Sequence, residues 1–388
     1  MKTFGLSARA AAIQPSMIRS VRAGMRPTTI DLGLGQTDLP VTQAVVEATR
    51  DALSGFLRAP YTPNAGSPEA RRAVATHVGV DPEAVILTCG VQEGLAVALY
   101  GLCEEGAEVL VPDPGFPAYP NLVRSAGGRP ISYPLRAPQA PGGPWRLSAQ
   151  DVVDRITDKT TLVVLNQPSN PTGSIADPGE LKELLEALKQ RGILWISDEI
   201  YEDYLWSGQF CPARQVPGAG PGITLSGLSK SHHLMGWRLG WMVGPPDLIR
   251  GLIPLHQHLV TCAPEPAQRA AVVALSVHEE AVAETRSVLK KRRDLALESL
   301  DGLGVITAEA AAGAFYLFLD VRPWLKTFST TAEMARALLA EEDVLVIPGE
   351  GFGEGALGHL RVAYTIGGDP LEEGLQRVRR FLQRTRGE

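Results

Sequence analysis

Short apolar runs alternate with amphipathic helical stretches through the middle of this 388-residue chain, and that rhythm restricts its fold more than any other feature. Residues 85–88, 108–111, 161–165, 193–197, 223–226 and 241–243 read as strands. One helix is expected to open near Gln92. Another opens at Asp177, which can cap it, with Pro178 in the first helical position and Glu180 completing a capping box. Leu181, Leu184, Leu185 and Leu188 then share one face of that helix. The run 193–197 is nearly all apolar, as a strand covered on both faces should be. The fold class expected is α/β: a large domain with a mostly parallel sheet covered by helices.

After residue 260 the pattern changes. Residues 267–300 are rich in Ala, Glu, Arg and Leu and predict one long connecting helix. Beyond it come strand-like runs at 315–321, 344–346 and 360–363, a helix at 331–339, and a last helix opening at Asp369 with Leu371, Leu375, Val378 and Leu382 on one stripe. This is a smaller α+β domain. The division expected is 45–290 for the large domain, and 1–44 with 291–388 for the small one.

Composition removes several alternatives. The net charge of -6 is spread along the chain, so neither a nucleic-acid partner nor a charged tail is indicated. The four cysteines form no Cys-x-x-Cys pair, which argues against a disulfide framework or a zinc site. Arg9 and Gln14 interrupt the apolar residues of the N-terminal stretch, so it does not read as a signal peptide. No apolar run is long enough to span a membrane. A reduced, cytoplasmic protein is expected.

The chemistry gathers around Lys230, in Ser226-Gly227-Leu228-Ser229-Lys230, with Gly236-Trp237-Arg238-Leu239-Gly240 soon after. A lysine desolvated at a strand end loses basicity, and its neutral amine condenses with carbonyls, pyridoxal phosphate being the commonest carbonyl cofactor held this way. Most lysines are surface residues, so that reading rests on what accompanies it. Cys89-Gly90-Val91-Gln92 joins a strand to a helix whose free N–H groups suit a phosphate, although many such turns contain glycine for the turn alone. Phe116, in Asp113-Pro114-Gly115-Phe116-Pro117, is either a rigid ring to stack on a flat ligand or a plain core aromatic. Asn166-Gln167-Pro168-Ser169-Asn170-Pro171-Thr172-Gly173 lies at a strand end, where ligands of open α/β sheets collect, and an Asn before Pro is held extended to present its amide. Ser197-Asp198-Glu199-Ile200-Tyr201 ends the most apolar strand; a carboxylate buried there needs a partner, which a protonated pyridine nitrogen supplies, unless Asp198 is only a cap. Tyr201 is placed to bond a ring hydroxyl. Arg238 suits a phosphate. Arg361, between Leu360 and Val362, requires an anion: a substrate α-carboxylate, or a structural ion pair.

In order and spacing these segments resemble the class I/II aminotransferases of the fold-type I pyridoxal-phosphate family, from Asp31-Leu32-Gly33-Leu34-Gly35 to Leu360-Arg361-Val362. The Asn-Pro-Thr-Gly, Asp-x-x-Tyr and Ser-Lys…Gly-Trp-Arg segments carry the match. The resemblance implies a pyridoxal 5'-phosphate enzyme moving an amino group between an L-amino acid and a 2-oxo acid by a ping-pong mechanism. It implies Lys230 as Schiff-base lysine and proton shuttle, Asp198 as partner of the pyridine nitrogen, and Asn170 and Tyr201 on the ring hydroxyl. Phe116 matches the stacking aromatic. The N–H groups of Val91 and Gln92, with Ser229 and Arg238, match the phosphate cup. Arg361, helped by the backbone near Gly35 and by Asn170, matches the carboxylate clamp. Tyr61 matches a tyrosine that reaches the phosphate of a partner subunit, which implies a homodimer with shared sites.

Two positions depart from the pattern. Many relatives carry Ser where Gly227 stands, leaving Ser226 or Ser229 to take its phosphate bond, and Thr37 replaces the Pro of Gly-x-Pro-Asp. Val91 stands where some dicarboxylate-selective relatives place a lysine, which weighs against aspartate; 90–95 is similar to relatives acting on diaminopimelate, aromatic or neutral amino acids. The side-chain pocket is expected to draw on 13–18. A carbon-sulfur β-lyase on the same scaffold is the alternative. A transcription regulator needs a DNA-binding domain before a pattern that here starts near Asp31. A metal hydrolase built on His232-His233 or His256 and His258 lacks accompanying carboxylates.

Overall fold

The computed structural model describes residues 5–54 and 60–386; the first four residues of the segment 1–44, and 55–59 within 45–290, lie outside them. After a short β1 (Ile30–Asp31), seven strands build the main sheet: β2 (Val85–Thr88), β3 (Glu108–Asp113), β4 (Arg129–Pro134), β5 (Thr160–Asn166), β6 (Leu194–Asp198), β7 (Gly222–Gly227) and β8 (Gly240–Val243). Their order is β2-β8-β7-β6-β5-β3-β4. Every neighbouring pair from β7 to β4 is parallel. β8 alone runs against both its neighbours, which leaves β2 parallel to β7.

The alternation of side chains explains why these runs are apolar throughout. Ile86, Val109, Val111, Val164 and Ile196 enter one core, under the helices Val91–Leu102 and Pro246–Val260. Leu110, Val163, Leu165 and Trp195 enter another, with the leucine face of helix Pro178–Gln190. Val85, Leu87, Trp241 and Val243 enter a third. A strand covered on both faces has no polar face to show.

The remaining strands, β9 (Tyr316–Asp320), β10 (Val344–Leu345), β11 (Ile347–Pro348) and β12 (His359–Ala363), form smaller sheets. β12 lies antiparallel between β11 and β9, while β1 pairs in parallel with β10. The final helix Asp369–Thr385 buries Leu371, Leu375, Val378 and Leu382 against this layer.

Several expectations need correction. The long helix of 267–300 is two, Glu265–Ser276 and His278–Ser299, parted at Val277 where the backbone leaves helical geometry (φ -114, ψ 18). The strand expected at 344–346 stops at Leu345, where β10 leaves β1, and a separate strand, β11, begins at Ile347 and pairs with β12. The edge strand β4 was not anticipated: it starts and ends near prolines and is only partly buried, so it carries no apolar signature. The capping box is half made. Asp177 Oδ1 accepts from the N–H of Gly179 and Glu180, but the Glu180 carboxylate turns away to the N–H of Ala149.

Because β2, β3, β5, β6 and β7 all point the same way, the segments that follow them converge on one edge of the sheet. That edge carries the turn after Thr88, Asn166, Asp198 and the Gly227 turn.

Candidate active site

A cleft of about 300 Å³ opens at that edge. Its walls bring together Gly35, Val91, Gln92, Phe116, Asn170, Asp198, Tyr201, Ser229, Lys230, Arg238 and Arg361. Tyr61 is apart from them: it is 84% exposed on the surface and does not line this cleft.

Lys230 sits in the short helix Leu228–Ser231, directly after β7. Its Nζ donates to the Gly35 carbonyl at 2.8 Å, and its own carbonyl accepts from the Tyr204 hydroxyl at 2.6 Å. Burial, and then the positive charge of Arg361, lower its amine from the ordinary lysine value to about 8. Asp198 ends β6 and is buried. One carboxylate oxygen accepts from the Tyr119 hydroxyl at 2.9 Å and the other from the Ile200 N–H at 3.3 Å. Burial pushes this acid up to about 6, against the pull of those two bonds and of Lys230.

Asn166, at the end of β5, fixes two neighbours. Its Nδ2 donates to the Asp198 carbonyl at 3.0 Å, and its Oδ1 accepts from the Asn170 N–H at 2.8 Å. Asn170 Oδ1 in turn accepts from Arg361 at 2.8 Å. The second Arg361 amino group donates to the Gly33 carbonyl at 2.6 Å. The guanidinium lies 4.3 Å from the Tyr316 ring centroid and 4.8 Å from that of Phe352. Among the described residues its Nε is buried with no partner, and no carboxylate pairs with the group. A fully buried cation left with an unsatisfied donor is arranged for an anion from outside. The Tyr201 hydroxyl meets that of Tyr316 at 2.9 Å.

At the other end of the cleft, Gly90 precedes helix Val91–Leu102 with φ +83, and the Arg238 guanidinium occupies the place where a Cβ at this residue would stand. Arg238, itself at φ +56, is tied to the Met235 and Cys89 carbonyls at 2.9 and 3.1 Å. Glu93 reaches back to the Cys89 N–H at 3.0 Å and is held by His256 at 3.0 Å. The first N–H groups of that helix thus border a fixed cation, a geometry suited to a phosphate.

The serine missing at 227 has a steric reason. A Cβ there would lie 2.7 Å from Gly240 Cα and 2.9 Å from the Leu239 carbonyl oxygen, where β8 crosses close. Of the two candidate replacements, the Ser226 hydroxyl is committed to Glu202 at 2.7 Å, while Ser229 lines the cleft. Of the expected side-chain segment, Ile18 reaches the cleft, and so does the adjacent Arg19. Arg19, Tyr119 and Tyr316 were not singled out from the sequence. Nothing in an isolated Arg or Tyr announces a cleft; only a pattern across relatives or the fold itself does.

Three of the four histidines considered as ligands are engaged elsewhere, His256 with Glu93. His232 bonds Ser231 and the Ala274 carbonyl, and His233 bonds Thr37 and Thr285. Among the described residues no helix is long and apolar enough to cross a membrane.

A cleft with a weakly basic lysine, a buried carboxylate, a phosphate-ready helix start and a buried arginine without an ion-pair partner among the described residues has the groups that would suit a phosphorylated carbonyl ligand and a carboxylate. Comparison with known proteins makes this specific. Residues 27–378 match the family described as aminotransferase class I and II, and the chain belongs to that family. It is 33% identical to the putative aminotransferase YugH of Bacillus subtilis (strain 168), over 96% of this chain and 97% of that one. It is 30% identical to a probable aspartate/prephenate aminotransferase of Aquifex aeolicus (strain VF5), covering 98% and 99% of the two chains. Among solved structures it is similar to the aspartate aminotransferase of Thermus thermophilus with maleate, with a TM-score of 0.87, 31% identity, and coverage of 98% and 100%. The chain is an aminotransferase with the fold-type I architecture. The family uses pyridoxal 5'-phosphate, and the residues present suit it: the cleft offers an amine, a buried acid and a phosphate-ready helix start together.

Proposed function

We propose that this chain transfers the amino group of an L-amino acid to a 2-oxo acid through pyridoxal 5'-phosphate, in two half-reactions of ping-pong type. The observation that carries the proposal is the convergence of Lys230, Asp198 and the unsatisfied Arg361 in one cleft. When bound, the cofactor supplies an aldehyde for the substrate amine and a ring that accepts the electrons of the Cα–H bond.

The chain's own residues do the rest. Arg361 takes the α-carboxylate through its unsatisfied edge. Lys230 Nζ takes the Cα proton and later gives it up, a task suited to an amine lowered to about 8. With the cofactor bound, Asp198 would hold a proton on its ring nitrogen, and Asn170 and Tyr201 would bond its ring hydroxyl. Val91 and Gln92 N–H, Ser229 and Arg238 would hold its phosphate, and Phe116 would stack on its ring. Residues 45–290 supply the cofactor layer; 1–44 and 291–388 bring Gly35 and Arg361 to it. The protein works as a homodimer in which Tyr61 completes the partner's phosphate site.

Arg19 decides how the substrate side chain is read. It lines the cleft, and among the described residues it makes neither an ion pair nor a side-chain hydrogen bond. An acidic side chain on one of the two substrates therefore has a cation to meet. The aspartate-acting relatives and the maleate of the Thermus structure favour the same reading. It outweighs the lack of a lysine at Val91.

The test is direct. Lys230→Ala should lose the absorbance band of covalently held cofactor and all transamination, while borohydride should fix the cofactor to the Lys230 peptide of the parent protein. Fixation to another lysine would sink the assignment. A screen of amino donors against 2-oxoglutarate then ranks acidic against neutral side chains. Pyruvate and ammonia released from cystathionine without an acceptor would instead favour the β-lyase.

A further inference from the structure

Tyr119 belongs to none of the motifs that mark the cleft, yet it touches the group on which ring chemistry depends. It is the second residue of helix Ala118–Ser125 and is 1% exposed. Its hydroxyl donates to Asp198 Oδ2 at 2.9 Å. Its ring stands edge-on to Phe116, with centroids 5.7 Å apart and planes at 79°. A buried tyrosine hydroxyl needs an acceptor, and a backbone carbonyl would serve, as one does for Tyr133. Tyr119 instead spends its proton on the carboxylate that faces the cleft. Among the described residues it is the one side chain that donates to the Asp198 carboxylate.

We propose that Tyr119 is a positioning residue that keeps Asp198 ionised and aimed, so that Asp198 can hold a proton on the cofactor's ring nitrogen. The proposal rests on the cofactor reading above. Three titratable groups act on the carboxylate from the elements around it: Tyr119 from helix Ala118–Ser125, Lys230 from helix Leu228–Ser231, and Tyr201 from the turn after β6. Burial disfavours the charge, and the bond from Tyr119 is the largest of the influences that restore it. Without that donor the carboxylate becomes the stronger base. A proton shared with a ring nitrogen then shifts toward the acid, and the ring loses positive charge.

The test compares parent, Tyr119→Phe, and a protein carrying a fluorinated tyrosine at 119, whose hydroxyl is a stronger donor. Carbon NMR of the Asp198 carboxyl in apoprotein needs no cofactor. Its titration should move up in Tyr119→Phe and down in the fluorinated protein. Nitrogen NMR of ring-labelled pyridoxal phosphate in the holoenzyme should move toward the neutral pyridine position in Tyr119→Phe. Its kcat should fall about ten-fold or more, the worth of one hydrogen bond to a charged group, with KM for the amino acid little changed. A merely structural role predicts no opposite shifts from Phe and fluorotyrosine. Unchanged carboxyl titration in both variants would overturn the proposal. Shifted carboxyl titration with no pyridinium signal in the parent would overturn the cofactor reading instead.

Discussion

At the scale of single residues, the cleft is built from groups that other groups hold still. Asn166 is typical: it lines the cleft and pins Asp198 and Asn170 from one amide. Gly227 is the clearest residue-level consequence of packing. Restoring the serine common among relatives should not restore a phosphate contact, because its Cβ would press on Gly240 and Leu239. Gly227→Ser is expected to cost about 1–3 kcal/mol of stability, as overpacking does, measured by urea unfolding of apoprotein. A variant as stable as the parent would refute this account. Arg361 was legible in the sequence as a charge inside an apolar strand and Asp198 as a charge ending one, each costly without a purpose, whereas Lys230 was legible through the segments that accompany it. Tyr119 and Arg19 were not, since their significance lies in what they face across the fold.

At the scale of elements, start signals were read more reliably than continuity. Asp177-Pro178 starts its helix as expected, and Asp177 alone caps it. Asp177→Ala should therefore cost about 1 kcal/mol, and Glu180→Ala should act through Ala149 rather than through the cap. A double variant tests this in urea: additive losses support two separate bonds, and strong coupling would restore the box. The break at Val277 was illegible because no Gly or Pro marks it. Strand β4 escaped for the opposite reason, being an edge element with a partly exposed face.

At the scale of the whole molecule, the parallel run from β7 to β4 follows from the alternation of strands and helices, but neither the order of the strands nor the reversed β8 does. Subunit sharing belongs to this scale as well. Tyr61 is exposed and does not line the cleft of its own chain. Mixing Lys230→Ala with Tyr61→Ala subunits, each inactive alone, should regain activity in the hybrid, where one site of the pair has both side chains. Continued inactivity of a verified hybrid would remove Tyr61 from the site. One feature reaches beyond enzymology. Arg361 joins Gly33 and Asn170, so a single guanidinium ties together three stretches of chain far apart in sequence. For recombination between relatives this acts as a linkage constraint. A crossover between positions 33 and 170, or between 170 and 361, separates inherited partners and leaves the clamp to chance, whereas exchanges beyond 361 leave it whole.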